Sequence, residues 1–202
     1  MKYLFVTATN TDVGKTYATL QLIERLSQKG IRVGVCKPIE TGVQDTPVDA
    51  QALLSKVQCC NPDFRHLKAE DITAFTFKLP AAPYCADIHH TITIDKIKAK
   101  IDELSSNCDL LIIEGAGGLM VPITADYYMI DLIQELDAMT LLVTPSRLGC
   151  INDTLLSIEM LKNRAITFEW CVNLHQDRDR FSEVTQPFYD TVFPAWWTLQ
   201  EG

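Results

Sequence analysis

Apolar residues recur along this chain in two alternating rhythms. Continuous runs at residues 3–6, 31–36, 110–113, 140–144 and 168–172 read as short strands covered on both faces. Between them, apolar positions return at helical spacing. These are Ala18, Leu22, Ile23 and Leu26; Ala50, Leu53, Leu54 and Val57; Ile94, Ile97, Ile101 and Leu104; Met129, Leu132, Ile133 and Leu136; and Leu155, Ile158 and Met160. Gly30 is a natural stop for the first helix. Strands alternating with helices predict an α/β fold: a doubly wound, mainly parallel sheet with helices on both faces, as one domain over residues 1–202. Residues 58–92 fit the rhythm least. They offer a break at Cys59-Cys60-Asn61-Pro62, a short strand within 72–77 and a rigid loop at Pro80-Ala81-Ala82-Pro83. Residues 175–202 read as irregular, with Trp196 and Trp197 packing on the core or on a second subunit.

Composition narrows the partners. Eighteen Lys and Arg against 26 Asp and Glu give a net charge of −8, which argues against nucleic acid. Seven cysteines without paired C-x-x-C spacing read as reduced thiols, several of them buried, in a reducing compartment. The apolar start is too short for a secretory signal and no run approaches a membrane span, so a cytoplasmic location without membrane contact is expected. His89 and His90 read as surface residues, because neighbouring side chains diverge and no third metal ligand is near.

The chemistry begins between the first strand and the first helix, at Ala8-Thr9-Asn10-Thr11-Asp12-Val13-Gly14-Lys15-Thr16. A strand–loop–helix with Gly-Lys-Thr at the helix start is a phosphate cradle. Backbone N–H groups and the helix N-terminus hold the anion, Lys15 reaches the outer phosphates, and the Thr16 hydroxyl suits Mg²⁺. The segment Asp12-Val13-Gly14-Lys15-Thr16-Tyr17 is therefore expected to bind a nucleoside triphosphate. Where the usual motif starts with Gly stands Ala8, which cannot take a positive φ without strain.

Further candidates lie beyond the phosphate loop, and all but Asp49 follow a predicted strand. Lys37-Pro38-Ile39-Glu40-Thr41-Gly42 reads as a polar loop, in which Lys37 and Thr41 either meet a ligand or simply turn the chain. Asp49 starts a helix; its residue type fits an N-cap first and a Mg²⁺ neighbour second. Glu114 ends a buried strand, opposite the phosphate loop, and Gly115-Ala116-Gly117-Gly118 lets backbone approach a ligand. Leu148-Gly149-Cys150-Ile151-Asn152 opens a helix that would suit an anion, or is an ordinary start capped by Asn152. Asn173 ends the last strand, where its amide would read a purine edge or form a turn. The phosphate loop, Lys37, Glu114, Gly149–Asn152 and Asn173 should fall along one edge of the sheet.

Four segments together resemble the dethiobiotin synthetase family, within the P-loop NTPase-like folds. They are Thr-x-Thr-Asp-Val-Gly-Lys-Thr at 9–16, the Lys37–Gly42 motif, Glu114-Gly115-Ala116-Gly117-Gly118 and Leu148-Gly149-Cys150-Ile151-Asn152. The resemblance implies an ATP- and Mg²⁺-dependent ligase of biotin biosynthesis. It would close the ureido ring of dethiobiotin from 7,8-diaminopelargonate and CO₂, through a carbamate and a carbamic–phosphoric anhydride. It implies catalytic roles for Lys37, Lys15 and Thr11, and Mg²⁺ held by Thr16, Asp49 and Glu114. Substrate contacts fall to Thr41, Gly117, Gly118 and the 148–152 segment, the last reaching from the neighbouring subunit of a homodimer with shared sites. Asn173 would read the base. The rival is a nucleotide-switched regulator or metallochaperone ATPase on the same fold. Many of those carry an additional Lys early in the phosphate loop, and residues 9–13 contain none.

Overall fold

The computed structural model describes residues 2–175 and 178–199. Its centre is a six-stranded sheet, parallel throughout, in the order β2-β5-β1-β6-β7-β8. The strands are β1 (Tyr3–Ala8), β2 (Val33–Cys36), β5 (Leu110–Gly118), β6 (Met139–Pro145), β7 (Phe168–Asn173) and β8 (Trp197–Leu199). Two further strands, β3 (Ile39–Thr41) and β4 (Phe75–Phe77), form a separate parallel pair. The principal helices are α1 (Lys15–Gln28), α2 (Val48–Gln58), α3 (Pro83–Ala86), α4 (Ile94–Ser105), α5 (Met129–Glu135) and α6 (Cys150–Asn163).

The apolar runs do what their composition demands. Leu111, Ile112 and Ile113 are fully buried in β5, flanked by β1 on one side and β2 on the other. On α4 the buried stripe is Ile97, Ile101 and Leu104, and its charged residues face outward. Gly30, at φ 82°, turns the chain after α1 toward β2. The connection through α1 leaves β1 toward the β2 edge, and the chain crosses β1 again between β5 and β6. Chain direction therefore reverses at β1, and the crevice outside its carboxyl end is where ligands collect in such sheets.

Several sequence expectations need correction. The second strand starts at Val33 rather than residue 31. The Lys37–Gly42 stretch is not a free loop: Ile39, Glu40 and Thr41 pair with Phe75, Thr76 and Phe77, and Lys37 N–H donates to the Ile72 carbonyl. The short strand within 72–77 is confined to its last three residues. Glu114 does not end its strand. β5 runs on to Gly118, and there four of its residues, 115–118, lie against Thr7 and Ala8 of β1, an irregular register between Val6 and Ala8. Neither Asp49 nor Asn152 is an N-cap. Pro47 and Gly149 hold those positions, which leaves Asp49 second in α2 and Asn152 third in α6.

The tail was expected to be irregular. Its described part instead forms helix over 178–180 that passes through a wide π-helical turn (Phe181–Thr185) into a helix at Gln186–Val192, and then β8. Trp196 stacks on Trp170, with ring centroids 5.9 Å apart, and Tyr189 meets Trp170 edge-on at 5.0 Å. Packing onto the core is thus what Trp196 does.

Candidate active site

The loop after β1 is shaped by two positive φ angles, Asp12 at 58° and Gly14 at 97°. Ala8 is not among the positive-φ residues. It lies in β1, fully buried and paired with β6, so the strain expected of it is absent. Gly14 serves as N-cap of α1, and a side chain there would meet Asn173: an added Cβ would lie 2.1 Å from Nδ2. The same Nδ2 donates to the Val13 carbonyl at 3.0 Å. Asn173, at the end of β7, therefore pins the phosphate loop from two strands away, across β6.

The Gly-rich end of β5 presses on the loop from the other side. A Cβ at Gly115 would lie 2.8 Å from the Phe5 ring, and one at Gly118 would lie 3.0 Å from the Thr9 carbonyl oxygen. Small residues here leave room for the Phe5 ring at Gly115 and for the backbone of the phosphate loop at Gly118. Gly117 faces the cleft, whereas Gly118 is buried against the phosphate loop.

Five side chains, from β5, α1, α2 and the segment after β2, converge beside this loop. Glu114 is fully buried. Its Oε1 accepts from Lys37 Nζ at 2.6 Å and from the Thr16 hydroxyl at 3.0 Å, and its Oε2 accepts from the Thr19 hydroxyl at 2.7 Å. Lys37 Nζ also lies 3.3 Å from Asp49 Oδ2, between the two carboxylates. Burial pulls the Lys37 ammonium toward neutrality, but Glu114 and Asp49 outweigh it and raise its pKa. Lys15 has no such direct partner. Its Nζ donates to the Asn10 carbonyl at 3.2 Å, and burial, helped by Lys37, lowers its pKa to about 8 against the pull of Glu114, Asp49 and Asp12. Sequence reading missed Thr19. The available signal was a second hydroxyl three residues after Thr16, on the same face of α1.

This cluster opens on a cleft of about 750 Å³. Thr11, Asp12, Gly14, Lys15, Thr16, Lys37, Thr41, Asp49 and Gly117 all contribute to its wall, together with Pro80–Pro83. Val13 and Tyr17 do not: Val13 is buried in the core, and Tyr17 is partly buried against it. The 148–152 segment lies outside this wall, after β6. Leu148 is 64% exposed, Gly149 takes φ 90°, and Cys150 is buried beneath Tyr189, whose hydroxyl is 3.6 Å from its sulfur.

Thr16, Glu114 and Asp49 supply hard oxygen donors beside the phosphate loop, with Lys37 Nζ between the two carboxylates. Among the described residues no three acidic, His or Cys side chains gather to enclose a metal alone. Two carboxylates and a hydroxyl match the partial shell that Mg²⁺ takes when phosphate oxygens complete it.

Comparison with known proteins agrees with this geometry. A family model described as an AAA domain matches residues 2–179. The chain is 61% identical, over all 202 residues and 96% of the relative, to the ATP-dependent dethiobiotin synthetase of Sulfurovum sp.. It is 39% identical to that of Wolinella succinogenes, over 94% of this chain and 88% of the relative. Among solved structures, the MinC:MinD cell division complex of Aquifex aeolicus superposes with TM-score 0.59 at 16% identity, covering 100% of this chain and 82% of that one. A ParA family ATPase from Chlorobium tepidum gives 0.58 at 14%, over 100% and 86%. These two show a shared P-loop fold. With the full-length identity beside it, the chain belongs to the dethiobiotin synthetase family.

Proposed function

We propose that this protein is the ligase that closes the ureido ring of dethiobiotin from 7,8-diaminopelargonate and CO₂, with ATP as co-substrate and Mg²⁺ as cofactor. The observation that carries the reading is the pairing of two buried lysines, Lys15 and Lys37, at one end of a cleft large enough for a second substrate. A switch or transport ATPase has no need of that second compartment or of a second lysine fixed between carboxylates.

The chemistry brings two anions together. One amine of the substrate takes up CO₂ as a carbamate. A carbamate oxygen then attacks the γ-phosphorus, the bond to the bridging β,γ-oxygen breaks, and ADP leaves. The second amine attacks the carbonyl carbon of the mixed anhydride, and phosphate departs as the ring closes. Lys15 offsets the charge of the outer phosphates, and Lys37 faces the carbamate; together they let the two anions align in line. Thr11 and Thr41, on the cleft wall, orient the carbamate and the amines, and the backbone at Gly117 lies along the chain of the substrate. Thr16, Glu114 and Asp49 would hold Mg²⁺, which when bound spreads the charge of the triphosphate.

Two parts of the reading reach beyond the cleft. Asn173 stands beside the phosphate loop, where the base of the nucleotide would extend, and we assign it to both base and loop. The 148–152 segment lies outside the wall of its own cleft; we assign it to the distal carboxylate of the substrate in a second copy, which makes a homodimer with shared sites. No described helix is long and apolar enough to cross a membrane, and all seven cysteines are free, which supports a reducing, cytoplasmic setting.

The test is purified protein with 7,8-diaminopelargonate, bicarbonate, Mg²⁺ and a panel of nucleoside triphosphates. One phosphate released per dethiobiotin formed is expected. Phosphate release that ignores the diamine would refute the proposal.

A further inference from the structure

We infer that Glu40 is a positioning residue: its carboxylate fixes the first turn of α2, and through it the placement of Asp49 beside Lys37. This deepens the reading of Asp49 as a metal-holding residue and rests on it. Of the groups around Lys37, Asp49 alone comes from α2, and its side chain is 45% exposed. Its position is therefore set by the backbone of the first turn. That turn lacks a local cap. Pro47 occupies the N-cap and has no side chain able to accept a hydrogen bond. The unpaired N–H groups are met from elsewhere. Glu40 Oε1 accepts from the Asp49 N–H at 3.0 Å, and Oε2 accepts from the Ala50 N–H at 2.9 Å. Each carboxylate oxygen takes one donor, so the contact fixes rotation as well as distance.

A carboxylate is a costly choice for this task. Glu40 is 7% exposed, and burial raises its pKa against the two backbone bonds. A Ser or Asp at position 47 would cap the helix without burying another charge beside Asp49 and Glu114. What Glu40 adds is register between two elements. It belongs to β3, paired at Thr76 of β4, and it follows Lys37 by three residues. One side chain thus ties β3, which carries Thr41 and begins two residues after Lys37, to the helix that carries Asp49.

The experiment is a double-mutant cycle on the full chain, with D49N, E40A and the double variant. Two quantities are read: the Mg²⁺ concentration that half-saturates ATP binding, by calorimetry, and the thermal midpoint. D49N is expected to raise the Mg²⁺ requirement about tenfold, and E40A about as much although Asp49 is present. The double variant should be no worse than D49N, because both changes act through one carboxylate. E40Q keeps a single acceptor oxygen and should give about a threefold rise, which carries the test where alanine does not fold. An E40A protein with a lower midpoint but an unchanged Mg²⁺ requirement overturns the inference, as does an additive double variant. If D49N itself leaves the requirement unchanged, the metal role of Asp49 fails, and the inference falls with it.

Discussion

Replacing Lys37 by methionine removes a charge while keeping most of the side-chain volume. What remains is Glu114, fully buried, with two threonine hydroxyls and no cation in direct contact. Breaking a buried pair by removing one partner costs about 3–5 kcal/mol, and the hydroxyls place this case at the low end, about 3 kcal/mol. For a chain of this size that is a fall in thermal midpoint of roughly 6–12 °C. Removing both charges is a different perturbation. The Lys37→Met, Glu114→Gln variant buries a neutral amide that still accepts from threonine, so stability should return to within about 1 kcal/mol of the parent. Urea and thermal unfolding of the three proteins measure this directly. Neither variant should make dethiobiotin, yet Lys37→Met should bind ATP nearly as the parent does, since Lys15 and the loop N–H groups are intact. A single variant that loses under 2 °C (less than about 1 kcal/mol), or a double variant no more stable than the single, would refute the argument that the pair is held by mutual compensation.

Three other outcomes can be checked. Lys15, with its pKa lowered to about 8, is partly neutral in mildly alkaline solution; phosphate contact favours the charged form, so ATP binding should take up about 0.5 proton at pH 8 and more at pH 9. Calorimetry in buffers of different ionisation enthalpy measures that uptake, which should vanish below about pH 6.5 and in Lys15→Met. The folded-state sign is the reverse of a paired lysine: the lowered pKa opposes folding below pH 8, and that penalty is relieved as pH rises from about 8 toward 10.5. Ala8→Gly should cost about 1 kcal/mol in urea unfolding, from strand entropy and a lost buried methyl, and leave the KM for ATP within about twofold. Asn152→Ala, at an exposed position that does not cap α6, should leave the thermal midpoint in place and raise the KM for the diamine; an unchanged KM would remove this residue from the substrate site.

Much of this was legible in the residues, and the reasons differ from place to place. The buried runs of β1, β5, β6 and β7 carry their own evidence, because a strand covered on both faces has to be apolar throughout. Lys37 was recognisable as a ligand candidate from its place after a strand. Its partner Glu114 was recognised too, but as a strand-ending group, because nothing local shows that Gly115–Gly118 can continue an irregular strand. β3 was hidden since three residues have no period, and their partner, Phe75–Phe77, lies more than thirty residues away. The cap on α2 was read from Asp49, the nearest acidic residue in sequence, whereas the capping carboxylate comes from Glu40 across a turn. The helices of the tail have an aromatic core of their own, built from Phe181, Tyr189, Phe193 and Trp196 around Trp170, and that spacing mimics no regular pattern.

That aromatic core has an optical consequence. The three tryptophans of the chain, Trp170, Trp196 and Trp197, all belong to the β7–β8 edge, with Trp196 stacked on Trp170 and Trp197 paired beside Cys171. Intrinsic tryptophan emission is therefore a signal of that edge and of Arg25 on α1, which lies over the Trp197 ring, and not of the lysine cluster near β1 and β2. Circular dichroism, by contrast, averages over every helix. Recording both during unfolding turns the chain into its own two-colour reporter: coincident curves mean that the edge and the phosphate site melt as one unit, and separated curves mean that the edge opens by itself.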